Sequence, residues 1–509
     1  MPGISLPTLL AYYLYFLTES IRFEKNAAHA DTVQRKLLKR MISKSRNTVW
    51  GRKYGYKEIL SSEDIYKEFS KNVPLCEYED LKGYFDRMFH GERDILWPGG
   101  CRMFAVTSST TSSLSKNIPI LSNNLKDTHF RGSVDSTAAY LRHRPDSRVF
   151  SGRTLIIPAY SSPERDIGCA KSGSISTILF FKTPRLFRLF KSPSPEVASI
   201  PDFVEKLEAA ARETASKHIT AIAGQPPWIL ELLKKVLEVT GKKDITEVWP
   251  DLEVFFYGGM PFDFYRPAFE RLIPSAKMEY VETYNASEGF FGFQTSPDDS
   301  SLSLCIDSGV FYEFIPFAEY LEGGRNAMPV WKVSTGIDYV LVISTTGGLW
   351  RFIIGDVIRF SSLKPYKFSI IGRTAQFLNL RGEHINSATV TAALAAAGKR
   401  TGSIFKEFTV APEILPDGNM RLILLVEPEV LTVNAESLAG AFDDCMKELL
   451  HEYGMVRSLG TVKAPRVIEA GEGAFRAYME SAGRLDAQYK IPRISESREL
   501  IDRIMKSDG

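Results

Sequence analysis

The sequence predicts an α/β protein: a large domain of β-sheets flanked by helices, followed by a smaller α+β domain. Three observations predict it. Between residues 104 and 283, short apolar runs alternate with segments of helical period, the pattern of strands linked by crossover helices. From 310 to 356 the apolar runs follow one another with glycine and proline between them, which indicates an antiparallel section. Beyond 388 the order is helix, strand, strand, helix, enough for a compact second body. The chain has 509 residues, too many for one core, since domains typically hold ~100–200 residues.

Bulk properties narrow the class. The chain is 44% hydrophobic and 24% charged, as ordinary soluble globular proteins are. Lys plus Arg number 63 against 61 for Asp plus Glu, so no electrostatic case exists for a nucleic-acid partner. Cys76, Cys101, Cys169, Cys305 and Cys445 show no CxxC spacing, which argues against a disulfide framework or zinc site and suits a reducing, cytoplasmic compartment. No segment reaches the ~20 apolar residues of a membrane span. The densest run, Ile4–Leu17, reads as a helix packed on the body, with a membrane-surface helix as the alternative; it lacks the basic lead and small-residue cleavage site of a signal peptide.

Taken in order, residues 1–95 read as mostly helical. Asp31–Ser45 carries Val33, Leu37, Leu38, Met41 and Ile42 at helical spacing. Leu96-Trp97-Pro98-Gly99-Gly100 breaks the chain before the short strand Phe104-Ala105-Val106. Thr107-Ser108-Ser109-Thr110-Thr111-Ser112-Ser113-Leu114-Ser115-Lys116 follows. A loop of small hydroxyl residues closed by a lysine suits phosphate, because backbone N–H groups and hydroxyls donate to the oxygens and Lys116 adds a point charge; a plain flexible loop is the alternative. Thr154–Ile157, Ser176–Phe181 and Ile219–Ala223 read as strands, and Phe203–Ala215 and Ile229–Val239 as helices. Trp228, behind the rigid Pro226-Pro227 turn, is either core or the wall of an acyl pocket.

Leu252–Tyr257 reads as a strand ending in Gly258-Gly259, a pair that serves a tight turn or a close backbone approach to a ligand. Phe262–Ile273 is a helix, and Lys277–Thr283 leads into Tyr284-Asn285-Ala286-Ser287-Glu288-Gly289-Phe290-Phe291. A carboxylate on a turn at a strand end, Glu288, can hold a cation or accept a hydrogen bond. Tyr284 offers a flat face to a base, and Phe290 and Phe291 read as a buried pair. Asn285-Ala286-Ser287 also fits an N-glycosylation acceptor, which a cytosolic chain would never have modified. In Trp350-Arg351-Phe352-Ile353-Ile354-Gly355-Asp356, the acid after a glycine is placed to bind vicinal hydroxyls; an Arg351–Asp356 pair is the structural alternative. Asn379, Arg381-Gly382-Glu383 and Asn386 read as a hairpin and helix start; Ala388–Ala397 and Ala435–Glu452 read as helices, Phe405–Ala411 and Arg421–Glu427 as strands.

Tyr-Asn-Ala-Ser-Glu-Gly resembles the central motif of the Gretchen-Hagen (auxin-responsive promoter) family of acyl acid amido synthetases, in its bacterial-type form, within the adenylate-forming enzymes. The likeness extends to Tyr78-Glu79-Asp80-Leu81, Leu96-Trp97-Pro98-Gly99-Gly100, the hydroxyl loop, Gly224-Gln225-Pro226-Pro227-Trp228, Arg351 to Asp356 and the terminal Gln488-Tyr489-Lys490-Ile491-Pro492-Arg493. Two places depart from the family pattern: Ser109 and Ser113 replace loop glycines, and Trp350 replaces a tyrosine. The resemblance implies an adenylation domain at 1–372 and a mobile lid at 373–509. It implies ATP-dependent adenylation of a small carboxylic acid, with Mg²⁺, then transfer of the acyl group to an amine such as an amino acid. By that resemblance Thr107, Ser108, Ser109, Thr110 and Thr111 hold phosphates together with Lys116, and Gly258, Gly259, Tyr284, Asn285 and Ser287 border the nucleotide. Glu288 binds Mg²⁺, Asp356 binds ribose, Arg373 sits at the hinge, Lys490 enters with the lid, and Trp228 and Phe290 line the acyl pocket. A thiol acceptor such as coenzyme A, a hydroxyl acceptor, and a non-catalytic nucleotide-binding relative stay open as alternatives.

Overall fold

The structure is a computed structural model, and it describes residues 6–107, 116–158, 171–374, 377–380, 383–417, 419–482 and 491–507. The chain divides into two compact units, the larger covering most of residues 1–369 and the smaller formed by Ile370–Gly509 with Met260–Leu272.

A twelve-stranded sheet organises the larger unit. One half is parallel: Lys191–Ser192, Arg153–Ile156, Ile219–Gly224, Val254–Gly258 and Glu279–Asn285 lie side by side. The other half runs antiparallel in the order Phe290–Gln294, Leu302–Leu304, Tyr366–Arg373, Phe352–Leu363, Asp338–Thr345, Val310–Pro316 and Met328–Pro329. The change of direction falls on the turn between Asn285 and Phe290, which is the central sequence motif. The burial patterns follow from the topology. Ile219–Gly224 is covered by crossover helices and begins with four consecutive buried residues, and Val310–Pro316 buries six of its seven.

Helix Ala30–Ser45 docks on this sheet by the residues its spacing marks: Leu37, Leu38, Met41 and Ile42 are all buried. Gln34, on the same face, is wholly buried because its amide is fully used. It donates to Ile306 O and Val310 O at 2.6 and 2.9 Å and accepts from Tyr312 N at 2.9 Å. The first helix, Leu6–Ala28, buries Tyr12 and Phe16 against Phe150 and leaves Leu10, Leu14, Leu17 and Ile21 exposed. Among the described residues, no helix is long and apolar enough to cross a membrane.

One secondary-structure expectation fails. Ser176–Phe181 belongs to a helix, Ile175–Lys182, not a strand. A continuous apolar run has no period to decide between the two, and Ser174 decides it by capping: its side chain accepts from Thr177 N. The expected helix Phe262–Ile273 is shorter, Arg266–Leu272, and the expected Ala435–Glu452 helix ends at Leu449 before a second begins at His451.

In the smaller unit the hairpin Phe377–Leu380 with Glu383–Asn386 leads into helix Ser387–Thr401, which Asn386 caps through Thr389 N at 2.8 Å. Ile404–Ile414 and Met420–Val430 pair antiparallel, and Arg466–Glu469 adds a parallel third strand that the sequence did not announce. Arg493 is its buried anchor. The guanidinium pairs with Glu407, donates to Phe408 O at 3.0 Å and Tyr265 Oη at 2.6 Å, and lies over the rings of Phe408 and Phe264.

Candidate functional site

The central turn is tight. Ala286 N donates to Gly289 O at 2.9 Å and Gly289 N returns to Ala286 O at 3.3 Å, which presents Ser287 and Glu288 at the tip, both partly exposed. Tyr284, just before the turn, is buried at 7% exposure. Its ring packs against Phe291 and Phe368, and its hydroxyl donates to the Asp356 carboxylate. Two predicted ligands, 72 residues apart in sequence, are thus joined. Asp356 lies in strand Phe352–Leu363 and is 6% exposed.

Arg351 is not the partner that the sequence left open for Asp356. Its Nε and Nη2 hold Glu313 at 3.0 and 2.9 Å, and its Nη1 donates to Ser70 O and Val73 O. Trp350, which replaces the family's tyrosine, is wholly buried and donates from its indole to Leu96 O at 2.9 Å, tying the Leu96-Trp97 segment to this strand.

The glycine pair has a structural cause at its first position. A Cβ at Gly258 would stand 2.3 Å from Thr283 O of the neighbouring strand. Gly259 has a φ of +78°, where a side chain is strained. Thr283 Oγ1 donates to Tyr257 O at 2.9 Å, so the end of this strand is held directly against the motif strand.

Thr107 and Lys116 end two strands, Met103–Thr107 and Lys116–Pro119, and face each other in register. Thr107 and Lys116 thus stand side by side at one end of an antiparallel pair. Ser108, Ser109, Thr110, Thr111 and Ser113 lie outside the described residues, as does Lys490. The Lys116 ammonium sits 5.3 Å from the centroid of Tyr78, whose hydroxyl accepts from Asn117 N at 3.0 Å. Trp228 is partly buried at the start of helix Pro226–Thr240, edge-on to Phe203. Phe290 is 3% exposed and packs with Phe23, Ala139 and Phe293 in a core cluster. Arg373 ends strand Tyr366–Arg373 in a partly exposed position. A cavity of about 370 Å³ lined by Ser70, Lys71, Glu77, Asp80, Arg325 and Arg351 contains none of the predicted site residues.

Sequence reasoning missed the support beneath the turn. His129 is wholly buried and its Nδ1 lies 2.9 Å from Asn285 Oδ1, while Asn124 Nδ2 donates to Glu288 O at 3.5 Å. Burial holds the His129 imidazole well below its usual range, at about 4, against the hydrogen bond to Asn285, which favours the charged form. Neither residue belongs to a pattern of chemistry in the sequence, and their partners are more than 150 positions away.

Comparison with known proteins adds the remaining observation. The GH3 family N-terminal domain matches residues 20–212, its central domain 303–373 and its C-terminal domain 388–499. The chain belongs to the GH3 family. Among its relatives, the indole-3-acetic acid-amido synthetase GH3.3 of Arabidopsis thaliana is 24% identical, over 95% of this chain and 93% of that one. The 4-substituted benzoates-glutamate ligase GH3.12 of the same plant is 22% identical over 94% and 96%. The solved structure of the GH3.15 acyl acid amido synthetase superposes with a TM-score of 0.76 at 16% identity, covering 95% of this GH3 chain and 94% of that one. A 2-hydroxyisobutyryl-CoA ligase in the postadenylation state shares the fold at a TM-score of 0.54 and 14% identity, over 93% and 91%.

Proposed function

We infer that this GH3 protein is an ATP-dependent acyl acid amido synthetase. The observation that carries the reading is the hydrogen bond from Tyr284 to Asp356, which joins the central motif to the Gly355-Asp356 strand at the place where the great sheet changes direction. In the first half-reaction a carboxylate oxygen of a small acid bonds to the α-phosphorus of ATP while the bond to pyrophosphate breaks. In the second, an amine such as that of an amino acid bonds to the acyl carbon, loses a proton, and AMP leaves. Catalysis rests on alignment and on stabilising charge that builds on the transferring groups.

The chain's residues fit a nucleotide. A buried acid, Asp356, and an aromatic, Tyr284, stand together beside a partly exposed turn, with Asn285 and Ser287 on that turn and Gly258-Gly259 on the adjacent strand. We assign Asp356 to the ribose hydroxyls, Thr107 to Thr111 with Lys116 to the phosphates, and Trp228 and Phe290 to the acyl side. The donor set also fits Mg²⁺ held mainly by phosphate. Among the described residues no three His, Cys, Asp or Glu side chains gather to hold a metal, so Glu288 would supply one hard carboxylate oxygen and phosphates and water the rest. When bound, the ion neutralises phosphate charge. Residues 373–509 form the lid, with Arg373 as hinge, and bring Lys490 to one half-reaction. The buried free cysteines Cys76, Cys101, Cys305 and Cys445 suit a cytoplasmic location.

Acid-dependent exchange of pyrophosphate into ATP tests activation, and product analysis with amino acids, coenzyme A and alcohols tests the acceptor. Exchange with amide products supports the reading. Exchange with only thioester or ester products reassigns the acceptor, and no exchange with any acid removes the ligase reading.

A further inference from the structure

The helix under the central turn is irregular. Ser122–Asn124 and Arg131–His143 are α-helical, but Leu125–Phe130 between them forms a π-helical turn. Such bulges turn side chains out of the α-helical register and recur at functional sites. The residues on either side of the wide turn are closely packed. A Cβ on Gly132 would lie 2.2 Å from the Phe290 ring, and one on Gly347 would lie 3.1 Å from Asn124 Nδ2. Asn124 Nδ2 reaches Glu288 O, and His129 Nδ1 reaches Asn285 Oδ1.

The buried imidazole has two neutral forms. His129 Nε2 has no hydrogen-bond partner among the described residues. With the proton on Nε2, a buried N–H would be orphaned, which folded proteins almost never permit. With the proton on Nδ1, the N–H donates to Asn285 Oδ1 and only an acceptor lone pair goes unmet, the less costly arrangement. The oxygen of the Asn285 amide is then fixed toward His129, and its NH₂ is directed to the opposite side, where the turn is partly exposed.

We propose that His129 is a positioning residue of the nucleotide site, which as the Nδ1–H tautomer grips Asn285 by its oxygen and aims the Asn285 NH₂ donor at a bound nucleotide. The proposal rests on the nucleotide-binding reading of the central motif. It is tested on the full chain by calorimetric titration with Mg·ATP. H129Q moves the donor to the Nε2 position and should weaken ATP binding at least tenfold. H129N keeps a donor at the Nδ1 position and should recover most of that loss. N285A should match H129Q, and adding H129Q to N285A should weaken binding no further. Nitrogen-15 spectra of the wild type should show the Nδ1–H tautomer at neutral pH. Equal losses in H129N and H129Q, additive losses in the double variant, an affinity loss that follows the melting temperature across all variants, or an Nε2–H tautomer each overturn the proposal. A wild type that binds ATP without acid-dependent exchange loses the ligase reading alone. One that binds no ATP loses both.

Discussion

Glu313 and Asp356 are both buried carboxylates in the antiparallel half of the sheet, at 1% and 6% exposure, yet they are embedded differently. Glu313 receives two N–H groups from Arg351 and the hydroxyl of Tyr66 at 3.0 Å. Arg351 in turn bonds two backbone carbonyls, Ser70 O and Val73 O, and has a φ of +43°, unusual for a side-chain-bearing residue. That constellation locks the helical N-terminal segment to the sheet. Asp356 instead accepts from Tyr284, a residue of the central motif. The difference teaches that an acid next to an arginine in sequence need not pair with it. One acid of this half serves the frame, and the other is joined to the elements that the family resemblance assigns to nucleotide.

The largest effect should come from breaking the framing pair. Arg351→Ala leaves Glu313 buried without its cation and should lower stability by about 3–5 kcal/mol in chemical denaturation. Asp356→Ala should not approach that loss. If both variants are equally destabilised, the two acids are alike and the comparison fails.

A second, smaller effect concerns pH. His129 ionises at about 4 when folded, against ~6.5 in an unfolded chain. Between those values the unfolded chain takes up a proton that the folded chain refuses, so stability falls as pH falls through this window. Above 6.5 the contribution is complete. The wild type should therefore lose up to ~3 kcal/mol more than H129N between pH 6.5 and 4, read from unfolding at a series of pH values. Parallel profiles would place the imidazole in a solvated site.

Next, Asp356→Ala should weaken ATP binding by about 1–3 kcal/mol while the fold persists, as expected for lost hydrogen bonds to a charged group. Unchanged nucleotide affinity in calorimetry would return Asp356 to a framing role beside Glu313. The smallest effect belongs to the hydroxyl loop. Ser109→Gly with Ser113→Gly removes a conformational penalty of about 1 kcal/mol where positive φ is required. The apparent Michaelis constant for ATP should fall several-fold with the preferred acid unchanged, in steady-state pyrophosphate release. A higher constant would mean that the serines themselves bind phosphate.

Local patterns were enough for much of the fold. The spacing of Leu37, Leu38, Met41 and Ile42 places a helix face because four side chains on one helix share one boundary with the core. Val310–Pro316 and the helix start at Asn386 were legible from their neighbours too, the first from the glycine and proline that bound its apolar run, the second from the residues of a turn and helix start. Ser176–Phe181 was misread because an aperiodic apolar run carries no such information, and a single capping serine settled it. The Tyr-Asn-Ala-Ser-Glu-Gly turn, and with it the family, was also present in sequence alone.

Tertiary structure decided which residues meet. Tyr284 finds Asp356 across 72 positions, Arg351 finds Glu313 across 38 instead of the nearer acid, and His129 finds Asn285 across 156. Those choices are made by strand order, by the switch from parallel to antiparallel pairing at the central turn, and by a π-helical bulge. A buried polar group bonds whatever the packed sheet brings within about 3 Å. That distance is set by the whole fold, and no local period in the chain encodes it.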